Sequence, residues 1–183
     1  MKQEPVTVAV SGAFDPIHIG HIRYIQEAAK LGDKLVVILN RDDFLLRKKG
    51  FVFTPFEDRK EIIESIKGVD EVITSVDDDQ TVCKTLQLIK PDIFAKGGEW
   101  VRAEDIPEAE TCRLIGCKIV MNVGGEKVRA DRELSWKVKE LGLEEIGKLR
   151  IICPYCDDHP ILKAKCLYCR GVGKVEVREI QQM

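Results

Sequence analysis

The chain has 183 residues, 44% hydrophobic and 33% charged, with a formal net charge of −2. This composition describes one ordinary globular domain plus a small appendage, and it gives no overall electrostatic pull toward nucleic acid or an anionic membrane. No apolar run approaches a membrane span, and Met1-Lys2-Gln3-Glu4-Pro5 leads straight into an apolar strand without a signal-peptide pattern, so a cytoplasmic protein is expected.

Residues 1–142 alternate strand and helix signals. Strands are expected at 6–11, 35–40, 71–74, 93–95 and 118–121, each a short unbroken apolar run of the kind covered on both faces. Helices are expected between and after them, at 19–31, 55–66, 82–90, 107–115 and 132–141. Thr54-Pro55-Phe56-Glu57 reads as a capping box with proline at the first helical position, and Pro91, Gly116 and Gly142 read as stops. The alternation implies an α/β, Rossmann-like, doubly wound parallel sheet of five strands with right-handed crossovers. Ligands of such sheets bind beyond the carboxyl ends of the strands, at the switch point. The loop after the first strand, the basic segment after the second and the glycine pair after the fourth all fall on that edge.

The segment Ser11-Gly12-Ala13-Phe14-Asp15-Pro16-Ile17-His18-Ile19-Gly20-His21 carries the most chemistry. A buried strand, a small-residue loop and a helix start meet there, and free N–H groups at a helix start attract phosphate. His18 and His21 are three apart and face one side. Gly20 between them leaves room for a ligand near the backbone. The reading is a triphosphate cradle with two imidazole donors. Arg59 shares a helix face with Ile62, Ile63 and Ile66, and a guanidinium on an inward face requires an anion: a ligand phosphate or an internal carboxylate. Arg47-Lys48-Lys49 is either a solvated charge run or a phosphate contact, and Lys96-Gly97-Gly98 either a turn or a nucleotide-holding loop.

With those residues the chain resembles the cytidylyltransferase-like nucleotidyltransferases, which include glycerol-3-phosphate cytidylyltransferases and the adenylyltransferase that activates heptose 1-phosphate. The resemblance runs through about residues 6–121 and takes in Phe53-Thr54-Pro55-Phe56-Glu57-Asp58-Arg59-Lys60, Val69-Asp70-Glu71-Val72-Ile73, Ala95-Lys96-Gly97-Gly98-Glu99-Trp100 and Ile106-Pro107-Glu108-Ala109-Glu110. It implies that His18 and His21 bind the triphosphate and stabilise the transition state, and that Lys48 and Arg59 complete the catalytic set. Gly12, Ala13, Phe14, Asp15, Gly20, Lys96, Gly97 and Gly98 would line the nucleotide site. The implied substrates are a nucleoside triphosphate with Mg²⁺ and a small sugar or polyol phosphate; the implied assembly is a homodimer. One stretch departs from the family. Gly124-Gly125-Glu126-Lys127-Val128-Arg129-Ala130-Asp131-Arg132 lacks the usual hydroxyls, leaving Arg129 or its cationic neighbours to meet the outer phosphates. That departure keeps a second reading open, a nucleotide-sensing module without turnover whose tail docks a protein or RNA. His18 to His21 also matches the HIGH motif of class I aminoacyl-tRNA synthetases, but no lysine-methionine-serine-lysine-serine loop accompanies it.

Of seven cysteines, Cys83, Cys112 and Cys117 lie among apolar neighbours and read as small core residues. Cys153, Cys156, Cys166 and Cys169 form two C-x-x-C pairs in the tail. Four thiolates in two knuckles match a closed, structural Zn²⁺ site, with iron as its main rival. The expected organisation is a nucleotidyltransferase domain over 1–142, a linker over 143–150 and a zinc-binding tail over 151–183.

Overall fold

A computed structural model of the protein describes residues 4–97 and 102–125, together with the backbone of 150–152 and 174–176. The chain divides into two compact units, Met1–Asp131 and Arg132–Met183. The expected boundary at 142 falls within the second.

The first unit is built on five strands, β1 (Thr7–Gly12), β2 (Lys34–Leu39), β3 (Glu71–Thr74), β4 (Ile93–Ala95) and β5 (Lys118–Val120). They pair in parallel in the order β3-β2-β1-β4-β5. The chain first winds outward from β1 through β2 to β3, then returns to the other side of β1. Right-handed crossovers therefore place the two sets of helices on opposite faces. On one face Ile25 and Ala28 of α1 (Ile19–Ala28) and Ile63 of α3 (Phe56–Glu64) pack on Val8, Val10, Leu35, Val37 and Leu39. On the other, Leu86 of α4 (Cys83–Ile89) and Cys112 of α5 (Ala109–Ile115) pack on Ala9, Ile38 and Phe94. Alternate residues of β1 and β2 thus serve different layers, which is why both strands read as continuous apolar runs. The reversal puts the carboxyl ends of β1 and β4 side by side, with Ala9 registered against Phe94.

All five strands lie within a residue of their expected positions. One helix was not expected, α2 (Asp42–Lys49), because Asp-Asp-Phe-Leu-Leu-Arg-Lys-Lys is dominated by charge rather than by an apolar stripe. Its charges nonetheless follow the helix dipole: Asp42 and Asp43 open it, Arg47, Lys48 and Lys49 close it, and Gly50 ends it at φ 88°. The capping box expected at Thr54 does not form. Pro55 is the N-cap residue, no side chain of its own caps α3, and Phe56 N–H donates instead to the Asp42 carboxylate of α2 at 3.2 Å. Ile62, expected on the inward face with Arg59, is 39% exposed, whereas Ile63 is fully buried. Among the described residues no helix is long and apolar enough to cross a membrane.

In the second unit β6 (Arg150–Ile152) and β7 (Lys174–Glu176) form an antiparallel ladder, with Ile151 opposite Val175. The four tail cysteines, the expected helix over 132–141 and nearly all of the linker over 143–150 lie outside the described residues.

The start of α4 is held by Asp77, a buried residue of the loop after β3. Its carboxylate accepts from Lys84 N–H at 2.7 Å, from Thr85 N–H at 3.0 Å and from the Thr85 hydroxyl. Asp77→Ala removes the acceptor of three donors, two of them buried, and is expected to cost about 1–3 kcal/mol, read as a lower urea midpoint. Asp77→Asn, which keeps one acceptor oxygen, should fall between the two.

Candidate active site

The site is assembled where β1 ends. After Gly12 the chain turns through Phe14 at φ 50°, and the Phe14 ring folds back so closely that a Cβ on Gly12 would sit 2.9 Å from it. Only glycine fits beneath that ring. Phe14 is 3% exposed and its ring meets the His21 ring edge-on, with centroids 5.1 Å apart.

His18 is the N-cap residue of α1, with extended backbone, and its Nδ1 accepts from Gly20 N–H at 3.1 Å. A ring nitrogen that accepts carries no proton, so that hydrogen bond places the proton of neutral His18 on Nε2 as a donor. The His18 and His21 rings stack at 3.8 Å between centroids and 20° between planes. The structure therefore brings the two histidines together, one as the cap and one inside the first turn. His21 is partly buried, and its Nδ1 is shut away from solvent without a hydrogen-bond partner. Desolvation, and secondly the neighbouring His18, lower its pKa to about 4. His21 is thus a neutral imidazole at neutral pH. The first turn of α1 holds no acidic residue, unlike those of α2, α3 and α5, so nothing in it offsets the positive helix end.

Two buried ionic knots hold this loop. The guanidinium of Arg59 is completely buried and donates to Thr54 O at 2.9 Å, Ala13 O at 2.6 Å, Asn40 O at 2.9 Å and the Asp42 carboxylate. Of the two anions its inward position allowed, the structure shows the internal carboxylate: these donors are spent on protein, and Arg59 shapes the loop rather than facing a ligand. The second knot is Asp15, 1% exposed, whose oxygens accept from Phe53 N–H at 2.9 Å and Thr54 N–H at 2.7 Å and pair with Lys49 at 2.7 Å. Asp15 likewise braces the loop from within. Lys48, one residue before, is exposed, with its ammonium 5.4 Å from the Phe44 ring.

Beyond β4, Lys96 N–H donates to Val120 O and Lys96 O accepts from Val123 N–H, which stitches β4 to β5 at the same edge. The Lys96 ammonium lies 3.4 Å from Glu108 and 5.0 Å from the Phe94 ring. Gly97 has a packing reason beyond the ligand approach expected of it: Tyr24 occupies the space, since a Cβ there would sit 3.0 Å from the Tyr24 ring. Tyr24 in turn donates its hydroxyl to Ala95 O at 2.6 Å, tying α1 to β4. Gly98 and Arg129 lie outside the described residues. An open groove of about 470 Å³ runs past Arg23, Glu27, Met121 and Gly125 and holds neither histidine. Sequence reasoning missed Asn40, Asp42 and Tyr24, and it placed Lys49 only within a charge run, without its Asp15 partner. The acidic start and basic end of Asp42–Lys49, followed by glycine, were the signal for Asp42 and Lys49.

A family model described as cytidylyltransferase-like matches residues 9–127. The chain belongs to that family of nucleotidyltransferases. The match runs from within β1 to beyond β5 and includes the stacked histidines of this cytidylyltransferase-like unit. Among relatives, the FAD synthase of Archaeoglobus fulgidus is 36% identical over 140 residues, covering 75% of this chain and 97% of that protein. The bifunctional protein HldE of Hahella chejuensis is 38% identical over 125 residues, covering 67% of this chain. The match spans only 24% of HldE's length. The crystal structure of the lipopolysaccharide core biosynthesis protein from Thermoplasma volcanium superposes with a TM-score of 0.54 at 32% identity, covering 64% of this chain and 96% of that one.

The lowered pKa of His21 has a sign. Between about 4 and 6.5 the folded protein holds fewer protons at this ring than the unfolded chain does. Its contribution to stability is therefore complete above about 6.5 and declines as pH falls toward 4. Denaturant titrations across that window should show His21→Asn losing less stability on acidification than the wild type.

Proposed function

We propose that the protein transfers a nucleoside monophosphate from a nucleoside triphosphate to a small phosphomonoester, with release of pyrophosphate. The stacked His18–His21 pair at the positive end of α1 carries the reading. An oxygen of the acceptor phosphate attacks the α-phosphorus in line. The bond from that phosphorus to the β-phosphate bridging oxygen breaks, its electrons leave with pyrophosphate, and a phosphoanhydride forms. No protein nucleophile is required, so catalysis consists of positioning and of stabilising charge on the phosphate oxygens. His18 supplies its Nε2 proton and His21 the second ring donor. Lys48 provides the exposed cation of the site and Arg129 takes the place of the missing hydroxyls.

The nucleotide enters as its Mg²⁺ complex. The buried Asp15 carboxylate is occupied by Phe53, Thr54 and Lys49. Asp15 is therefore not free to hold the metal, and Mg²⁺ would draw its ligands from phosphate oxygens and water, as it commonly does in such sites.

Between CMP and AMP, the relatives favour AMP, since FAD is FMN joined to AMP. FMN and a heptose phosphate head the candidate acceptors, and both present a phosphomonoester oxygen. A screen of four nucleoside triphosphates against FMN, sugar phosphates and polyol phosphates, read by pyrophosphate release, tests the proposal. One pair should turn over, and His18→Ala or His21→Ala should lower its rate about 10²- to 10³-fold. Saturable nucleotide binding without pyrophosphate from any pair would favour the sensing module instead.

For the tail we infer one structural Zn²⁺ held by Cys153, Cys156, Cys166 and Cys169, supported by the paired C-x-x-C spacing. Elemental analysis of purified protein should find about one zinc per chain. The content should collapse in a Cys153→Ser/Cys156→Ser variant; iron or no metal would refute the assignment.

A further inference from the structure

Lys48 and Lys49 are adjacent in sequence but differ in surroundings. Lys49, the last residue of α2, has a side chain only 12% exposed, against a fully buried Asp15 carboxylate. Its ammonium lies 2.7 Å from the Asp15 carboxylate and 2.7 Å from the Asp15 carbonyl oxygen. It also sits 4.9 Å from the centroids of both Phe51 and Phe53, whose rings meet edge to face. Burying an ammonium costs solvation and side-chain freedom. Asp15 also accepts two N–H bonds, so the cation is one of three groups that hold the carboxylate. What the cation adds is a link. It ties the last turn of α2 to a residue three places before His18, on the chain that delivers the histidine pair.

We propose that Lys49 is a positioning residue acting through Asp15. It locks the C-terminal turn of α2 against the loop of Ala13–His18, so that Lys48 and the two imidazoles address one triphosphate. Its own charge is neutralised by Asp15, and Lys48 is left as the lysine of the pair that meets phosphate. This rests on the reading of His18 and His21 as the phosphate site.

Affinity for α,β-methylene-ATP, measured calorimetrically across a range of ionic strength, separates the two roles. Lys48→Met should weaken binding and flatten its salt dependence, because a Coulombic contact to phosphate is lost. Lys49→Met should weaken binding by roughly ten- to hundredfold through misplacement while keeping the wild-type salt dependence. Lys49→Arg should restore most of the affinity. Asp15→Asn should cost less when added to Lys49→Met than when made in the wild type, since both residues serve one link. The double variant leaves no buried unpaired charge and carries the test if Lys49→Met does not fold. Wild-type affinity in Lys49→Met, or in the double variant, would overturn the proposal. So would a flattened salt dependence in Lys49→Met, which would make Lys49 a direct contact. If the wild type itself binds no triphosphate analogue, the phosphate-site reading fails and this proposal falls with it.

Discussion

The buried guanidinium of Arg59 is the constraint on which the ligand edge depends. Backbone carbonyls at strand ends repel one another when crowded, and three of them, from Ala13, Asn40 and Thr54, converge on this one cation. Each belongs to a different connection: after β1, after β2 and before α3. A guanidinium suits the task because its donors are fixed in a plane and it does not lose its charge. Asp42 supplies the counter-charge and, through Phe56 N–H, the cap that α3 lacks in its own sequence. Three loops are thereby set in one arrangement before any ligand arrives.

Preorganisation of that kind extends to the stacked histidines, the pair proposed to meet the triphosphate. Donors that are already aimed need not reorganise when charge builds up on a transferring phosphoryl group. Phe14 fixes the His21 ring from its edge, Gly20 N–H fixes the His18 ring through Nδ1, and the two rings fix each other. Behind them Tyr24 pins α1 to β4, the strand across the switch point. The family likeness over residues 9–127 covers this arrangement.

Much of this was legible in the residues. Strands such as those expected at 6–11 and 35–40 declare themselves because burial on both faces leaves few polar positions, and His18-Ile19-Gly20-His21 is compact enough to read as one unit. Arg59 was legible as an inward cation but not in its purpose, because a sequence does not say whether the anion facing it belongs to a ligand or to the chain. The same ambiguity covers Lys48 and Lys49, whose environments diverge only once Asp15 folds beneath the helix. Asp42 was hidden for another reason: it caps a helix fourteen residues away, and capping patterns look only at local neighbours. Gly97 is ambiguous by its type, since a glycine beside a ligand edge and a glycine beneath a tyrosine ring are written with the same letter.

The neutrality of His21 reaches beyond its own stability. A ring that begins uncharged takes up a proton more readily once a polyanion lies against it. Proton affinity and polyphosphate affinity then rise together, each reinforcing the other by thermodynamic linkage. On the proposed reading of the histidine pair, acid that weakens the empty protein would tighten its hold on a triphosphate, so that occupancy would shield the fold.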